Sequence, residues 1–320
     1  MRRRPVVAWS GQLDVAWGTT SRRLRNLIDR IRSGVLGRLW VTMRPQQWTK
    51  NLLVGAAPLA AGTILHLRPA LHTLLAFAVF CLAASSLYCL NDVLDATIDR
   101  HHPRKRHRPV ASGQLSPRAA AIASGLLAAA ALALATPNPL RLVIGCYLVI
   151  NVAYSMGLKN EPVLELAIVA SGFLLRAIAG GPATGVPLSH WFLIVASFGS
   201  LFLVAGKRLS ESLQLGPAAA AARPILAHYP ISYLRMLVSV AVGVTVTAYG
   251  LWAFTVGAHR SGPPWAAVSI APFVIALLRY MLDVDAGTAQ EPEQVLLHDR
   301  TLQGLGILWL VTFSLSALHG

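Results

Sequence analysis

The sequence predicts an all-α membrane protein whose chain crosses the bilayer nine times, and three observations carry that prediction. Of the 320 residues, 55% are hydrophobic and only 13% charged, and the mean hydropathy is +0.55, outside the range of ordinary soluble domains. Apolar stretches recur along the chain, most near the roughly 20 residues that a helix needs to cross a hydrocarbon core about 30 Å thick. Polar residues, or Pro and Gly, punctuate them.

Cut at that punctuation, the spans run 52–66, 71–90, 118–136, 140–156, 163–180, 188–206, 233–256, 264–282 and 301–318. The first is short, and Pro58 would kink it. With the N-terminus inside, the outer connections are 66–69, 137–139, 181–187 and 257–263, and only Arg68, Arg141 and Arg260 lie on or beside them. All 13 acids, and nearly all the other Lys and Arg, then fall at or near the inner ends. The basic bias sets orientation by the positive-inside rule, whereas acids contribute little to topology. Their one-sided placement points instead to function on the inner face, so the chain is expected in the plasma membrane, multi-pass, with its active site facing the cytoplasm.

In a soluble chain the net charge of +15 would suit nucleic acid. Here the basic residues mark inner loops and contacts with anionic membrane lipid, and no nucleic-acid partner is expected. Cys81, Cys89 and Cys146 lie in apolar runs without metal-ligand spacing and read as packing residues. The first 40 residues hold no apolar core long enough for a secretory signal, so the first span would direct insertion. Residues 1–20 read as a disordered basic tail. Residues 21–40 place Leu24, Leu27, Ile28, Ile31, Val35 and Leu39 at helical spacing with arginines largely elsewhere; this is either an amphipathic helix in the inner headgroup layer or a frayed start. Residues 41–320 form the transmembrane domain.

The chemistry concentrates in NDVLDATIDRHHPRKRHRPVASG, residues 91–113. If 91–99 continues the second helix, a turn of about 100° per residue puts Asn91, Asp95, Asp99 and Asp92 at about 0°, 40°, 80° and 100°. Carboxylates so close repel one another unless a cation lies among them. A hard ion such as Mg²⁺ takes few protein carboxylates and keeps positions for phosphate oxygens. The other reading is a solvated helix end paired with its own arginines. Arg100, Arg104, Lys105, Arg106 and Arg108 follow at once, and Pro103 and Pro109 favour a loop able to fold back over the acids. Guanidinium and ammonium groups match phosphate oxygens, so a metal face beside a cationic loop suits a diphosphate leaving group. Each arginine alone could equally serve topology. Elsewhere Arg176 lies inside the fifth apolar run, where a charge costs at least about 2.5 kcal/mol. It should face the bundle interior and pair with a carboxylate or with a substrate phosphate.

At this point the residues resemble a family. NDVLDATIDR has the NDxxDxxxD pattern of the UbiA superfamily of intramembrane prenyltransferases. That resemblance implies nine helices around a central cavity open to the cytosol and Mg²⁺ as cofactor. RPQQWTKN (44–51), DRHHPRKRHRPVASG (99–113), GFLLRAIAGG (172–181), GKRLSE (206–211) and EPEQVLLHDR (291–300) more narrowly resemble its decaprenyl-phosphate phosphoribosyltransferase branch, over about residues 40–318. The branch implies transfer of 5-phosphoribose from phosphoribosyl diphosphate (PRPP) to polyprenyl (decaprenyl) phosphate, releasing diphosphate, as a step toward the arabinose donor of cell-wall arabinan.

Carried onto this chain, the resemblance implies that Asn91, Asp92, Asp95 and Asp99 hold metal and that the three aspartates are catalytic. Typical relatives have a second acidic motif of DxxxD type where YSMGLKNEPVLELA supplies Tyr154, Lys159, Glu161 and Glu165. The glutamates are a departure; Glu165 fits the branch pattern as a metal and catalytic residue, while Glu161 also reads as an acid at a helix start. Lys50, Lys207 and Arg208 become phosphate candidates, and Tyr154 and Lys159 are expected among the substrate-binding residues. Asp283, Asp285, Glu293, Asp299 and Arg300 flank the last inner connection, where carboxylates suit ribose hydroxyls; Asp299 also suits a helix cap. The acceptor phosphate is already anionic, so no general base is needed, and no serine, histidine or cysteine triad is evident. Competing readings are a UbiA-type prenyltransferase with an aromatic acceptor and, from another class, a transporter or lipid-binding membrane protein. A homo-oligomer, trimer or dimer, is compatible with such a bundle.

Overall fold

A computed structural model describes residues 34–219, 223–257 and 263–318. The expected basic tail at 1–20, residues 21–33 of the expected amphipathic helix, and Arg260 lie outside the described residues. Within them the chain is all-helical. Thirteen α-helices follow in order: α1 Val35–Met43, α2 Ala56–Ala60, α3 Leu67–Leu94, α4 Ala96–His101, α5 Pro117–Leu134, α6 Asn138–Met156, α7 Leu164–Thr184, α8 His190–Leu215, α9 Ile231–Gly257, α10 Trp265–Val268, α11 Ile270–Asp285, α12 Pro292–His298 and α13 Arg300–Leu318.

Seven helices among the described residues are long and apolar enough to cross a membrane: α3, α5, α6, α7, α8, α9 and the stretch Trp265–Asp285 that joins α10 to α11. They match the second to eighth expected spans in order, and the chain is a multi-pass membrane protein. The last expected span coincides in position with α13, which is not among those seven. The first differs from its expectation, because 52–66 is no single helix but 3₁₀ turns at Pro45–Gly55 and Thr63–Leu65 around the short α2. Pro58 lies inside α2, and Gly62 adopts φ 68°, a left-handed conformation that glycine reaches without steric cost. The outer surfaces of the spans keep large apolar side chains exposed, among them Leu126, Leu142, Val149, Leu278 and Ile307, as lipid-facing helices require.

Helix ends follow local chemistry. The Ser116 hydroxyl accepts from the Ala119 N–H at the start of α5, and the Ser189 hydroxyl from the Phe192 N–H at the start of α8, each satisfying a donor that the first turn leaves free. α7 stops at Gly185, φ 73°. Asp299 caps α13, its Oδ1 accepting from the N–H groups of Thr301 and Leu302 at 2.7 and 3.0 Å.

The described chain groups into two compact units, one formed by residues up to Pro45 with Tyr88–Gly125, the other by Gln46–Leu87 with the residues from Leu126 onward. The smaller unit has a modest core of Ala96, Val110, Leu115 and Ala120 with Leu39 and Val93 packed on it. The larger has two cores. One joins α7, α8, α9 and α11 through Leu166, Phe202, Leu209, Leu234, Val238 and Val284. The second joins α3, α5, α6 and α7 through Val79, Phe80, Ala131, Ile144 and Ala179, and takes in Val54 of the 3₁₀ segment.

Small residues set how closely that segment approaches α7. A Cβ added to Gly180 would stand 2.1 Å from the Val54 carbonyl oxygen and 2.6 Å from Pro58 Cδ, so backbone atoms occupy the space a side chain would need. Elsewhere in the bundle, the Tyr249 hydroxyl bonds the Ser269 hydroxyl at 2.6 Å and accepts from Trp309 Nε1 at 2.8 Å. This fastens α9 to α13 inside an apolar medium, where interhelical hydrogen bonds supplement close packing. Gly180→Ala is therefore expected to lower thermal stability in detergent by about 1–3 kcal/mol or more, while Gly243→Ala, which meets nothing within 4 Å, leaves the melt unchanged or raises it.

Candidate active site

In the smaller unit the acidic stretch spans the end of α3 and all of α4. Helical hydrogen bonding runs through the junction, the Asp95 N–H donating to the Asn91 carbonyl at 2.9 Å and the Asp99 N–H to the Asp95 carbonyl at 2.8 Å. The i to i+4 register thus survives Asp95, which forms a single turn residue between the helices. Asp92 and Asp99 are both 2% exposed; Asp95 and Asn91 are half-buried.

Burying two carboxylates demands compensating charge. Arg44 Nη2 donates to Asp92 Oδ1 at 2.5 Å, and Arg108 Nη1 lies 2.6 Å from Asp99 Oδ2 and 3.4 Å from Asp92 Oδ1. Arg108 reaches back because α4 stops before Pro103, His102 taking the extended conformation (ψ 132°) that a following proline favours. Arg100, Arg104, Lys105 and Arg106 remain exposed. Arg44 is a residue that sequence reasoning missed, although it opens the RPQQWTKN motif. It ends α1 in a left-handed conformation, φ 53°, and its guanidinium also covers the Tyr88 ring at 5.0 Å. Nothing in the local sequence announces that conformation.

Among the described residues no three His, Cys, Asp or Glu side chains converge as a metal cluster. The donor set itself fits a hard divalent ion, being three carboxylates and a carboxamide with only oxygen to offer. Arg108, shared by Asp92 and Asp99, marks where positive charge is wanted.

In the larger unit a second constellation forms around Glu165, which is fully buried in the first turn of α7. Arg208, itself 2% exposed, donates to Glu165 Oε1 through Nε at 2.8 Å and through Nη2. Its Nη1 donates to Glu211 Oε2 at 2.9 Å. Arg223 Nη1 adds a third contact to Glu165 Oε1 at 3.3 Å. Lys207 faces Glu211 at 3.9 Å, and the half-buried Tyr154 and Lys159 belong to the same electrostatic neighbourhood. Glu161 is exposed. Arg223 was not foreseen, because it lies in an alanine-rich connection whose sequence carries no motif.

The neighbouring Tyr229 hydroxyl accepts from the Val163 N–H at 2.9 Å; burial first, and the Glu165 charge nearby, push that phenol above its ordinary pKa, opposed by the Val163 hydrogen bond. Lys50 pairs with Glu293 at 3.2 Å. Asp299, besides capping α13, accepts from Arg279 at 2.6 Å; the Leu302 and Thr301 N–H groups and then Arg279 hold its carboxyl below the usual carboxylate range.

Within the protein Arg176 is held by neutral groups rather than by a carboxylate. Its Nε donates to Asn51 Oδ1, Nη1 to the Gly172 carbonyl and Nη2 to the Tyr147 hydroxyl, each at 2.7 Å, and its guanidinium lies 4.8 Å from the Tyr147 ring centroid. Neutral acceptors and an aromatic face carry the charge.

The larger unit also encloses an apolar cavity of about 550 Å³ that reaches from Leu296 and Leu302 to Val186 and Pro187, with Trp191, Phe192, Phe202, Trp252 and Phe273 on its walls.

A model of the UbiA prenyltransferase family matches residues 52–303. A protein of Mycolicibacterium smegmatis named decaprenyl-phosphate phosphoribosyltransferase is 46% identical over 284 residues, 84% of this chain and 89% of its own. One of the same name from Mycobacterium tuberculosis is 45% identical over 285 residues, 87% and 93% of the two chains. Among solved structures, a UbiA homolog from Archaeoglobus fulgidus bound to GPP and Mg²⁺ superposes with a TM-score of 0.65 at 18% identity, over 88% of this chain and 98% of its own, which shows the fold.

Removing one member of a buried ion pair strands the other. Arg208→Met is expected to cost about 3–5 kcal/mol of stability, read as a lower melting temperature in detergent, and the double variant Glu165→Gln with Arg208→Met is expected to recover part of that loss.

Proposed function

The chain belongs to the UbiA prenyltransferase family, and from that membership we propose that it is a decaprenyl-phosphate phosphoribosyltransferase, moving 5-phosphoribose from PRPP to a polyprenyl phosphate. The observation that carries this reading is the identity of 45–46%, over most of both chains, to proteins of that name. The product is a lipid-linked phosphoribose of the kind that cell-wall arabinan synthesis consumes.

Asp92, Asp95 and Asp99, with Asn91, are the residues that would hold Mg²⁺, which when bound neutralises a diphosphate and stabilises the charge that develops as it leaves. The protein's own cations do related work. Arg108 and Arg44 lie on the same carboxylates and are available to phosphate oxygens when the carboxylates take another cation. Exposed Arg100, Arg104, Lys105 and Arg106 supply further positive charge. Lys50, Lys207 and Arg223 supply ammonium and guanidinium groups of the larger unit for phosphate. Arg208 serves differently, because Glu165 and Glu211 hold its guanidinium; with Glu165 it fixes the group on which Arg223, Tyr154 and Lys159 are arranged.

The nucleophile is an acceptor phosphate oxygen, anionic at neutral pH, so no residue must remove its proton. One bond forms from that oxygen to ribose C1 as the bond from C1 to diphosphate breaks, with inversion at C1. The apolar cavity of the larger unit takes the first part of the polyprenyl chain, its aromatic walls offering the apolar contact that isoprene units need. The acids lie at the cytoplasmic side, where a water-soluble donor is supplied.

The purified protein, incubated with Mg²⁺, labelled PRPP and decaprenyl phosphate, is expected to yield a radioactive lipid, and EDTA to stop the reaction. Absence of lipid-linked label would overturn the reading, and, in a separate incubation, transfer of a prenyl group from a polyprenyl diphosphate to 4-hydroxybenzoate with release of diphosphate would favour an aromatic acceptor. Asp95→Asn is expected to abolish turnover while leaving the melting temperature in detergent close to wild type; full activity in that variant would remove Asp95 from the metal face.

A further inference from the structure

The chain enters α7 through an unusual backbone. Glu161 is extended, with φ −93° and ψ 117°, as the residue before a proline prefers, and the Pro162 carbonyl then accepts from the Leu164 N–H at 2.8 Å. Val163, between them, has φ 66° and ψ −46°. A three-residue turn with a positive central φ is rare and strained, most of all for a β-branched residue. The Val163 side chain is 54% exposed, so its own burial offsets little of that strain. The turn has to be held from outside.

Tyr229 holds it. Its hydroxyl accepts from the Val163 N–H at 2.9 Å, across 66 residues of sequence. The tyrosine is itself firmly placed. It is 5% exposed, belongs to the core that joins α7, α8, α9 and α11, donates its own N–H to the Leu226 carbonyl at 3.2 Å, and stacks on Tyr233 with the ring planes 4° apart. Ile225 and Leu226 just before it are buried, so the hydroxyl stands on a packed 3₁₀ turn, Pro224–His228.

Charged groups lie on both sides of the strained residue. Before it comes Leu158–Asn160, the turn that bears Lys159 and packs against Pro224–His228. After it, two residues on, comes Glu165, which holds the guanidinium groups of Arg208 and Arg223. A change of φ and ψ at Val163 would therefore swing Lys159 and Glu165 relative to each other.

We propose that Tyr229 is a positioning residue for the reaction, its hydroxyl latching the turn at Val163 and so setting how Lys159 and the arginines on Glu165 present themselves to substrate phosphate. The inference rests on the reading above, in which basic groups of the larger unit serve phosphate, and adds a residue outside every motif that acts on them through the backbone. Phenylalanine at 229 keeps the ring and its packing. Water can replace the lost hydrogen bond to the Val163 N–H, but water does not hold the turn.

Tyr229→Phe is expected to raise KM for PRPP, for decaprenyl phosphate, or for both, by about tenfold, the worth of one anchored hydrogen bond. KM reports on the folded enzyme alone, so a lower yield of folded protein does not imitate the effect. The backbone at 163 gives the sharper comparison. Glycine reaches positive φ without steric cost and alanine does not, so Val163→Gly added to Tyr229→Phe is expected to recover most of the loss, and Val163→Ala to recover none. Hydrogen exchange supplies a readout apart from turnover, the peptide spanning 161–167 being expected to exchange faster in Tyr229→Phe than in wild type. Unchanged KM for both substrates, equal effects of glycine and alanine, or unchanged exchange would each overturn the latch. A wild-type protein that transfers nothing from PRPP would instead overturn the functional reading, and the exchange measurement would still decide whether Tyr229 holds the turn.

Discussion

A charge inside an apolar bundle must bring its own compensation, and the structure is organised around the places where it does. Glu165 is wholly buried in α7, and the guanidinium of Arg208 is equally withdrawn from solvent in α8. Neither could be there alone, because an isolated ion in a low-dielectric interior costs several kcal/mol even after relaxation. Together they fix how α7 meets α8, and Arg223 and Glu211 extend the pair into a network. The smaller unit repeats the solution with the signs arranged differently: two buried aspartates share one arginine, and a second arginine covers one of them. Arg176 solves it without any carboxylate, through three oxygen acceptors and an aromatic ring. That last solution ties Asn51 of the 3₁₀ segment to α6 and α7, and so sets the backbone from which Lys50 projects toward Glu293.

Much of the fold could be read in advance because a membrane leaves few choices. A span must be long, apolar and internally hydrogen-bonded, and seven spans follow in the order the apolar runs dictate. The segment at 52–66 was harder because it is apolar for another reason. It packs against the second core of the larger unit through Val54, and its backbone sits against Gly180, so tertiary contact with α7 rather than length decides its shape. Among the charged residues, type and spacing identified the acids, since oxygen donors on a helical period declare themselves locally. Their partners did not. Arg44 depends on a left-handed backbone, and Arg223 on the path of a motif-free connection. Which cation is committed to protein carboxylates is a tertiary property, and Arg208 illustrates it, standing next to Lys207 in one motif yet held by two glutamates.

Strain is distributed in a way that follows the same logic. Apart from glycine, only Arg44 and Val163 among the described residues adopt positive φ, at 53° and 66°. For a β-branched residue such as Val163 that conformation is a genuine outlier, and such strain, of about 1–3 kcal/mol, persists only where surrounding contacts over-determine it. Both residues lie at the entrance to a charged group. Arg44 turns the chain so that its own guanidinium meets Asp92. Val163 turns it two residues before Glu165, and its N–H is held by the Tyr229 hydroxyl in a connection that Arg223 pins to Glu165 from the other end. Each distortion therefore places a charge, and each is held by the pairing it makes possible. Relaxing Val163 to an ordinary helical conformation would start α7 earlier and rotate Glu165 relative to Arg208, exchanging a local gain for an unpaired buried carboxylate. Backbone strain and buried ion pair are thus two sides of one balance, in which keeping the carboxylate paired outweighs relaxing the backbone.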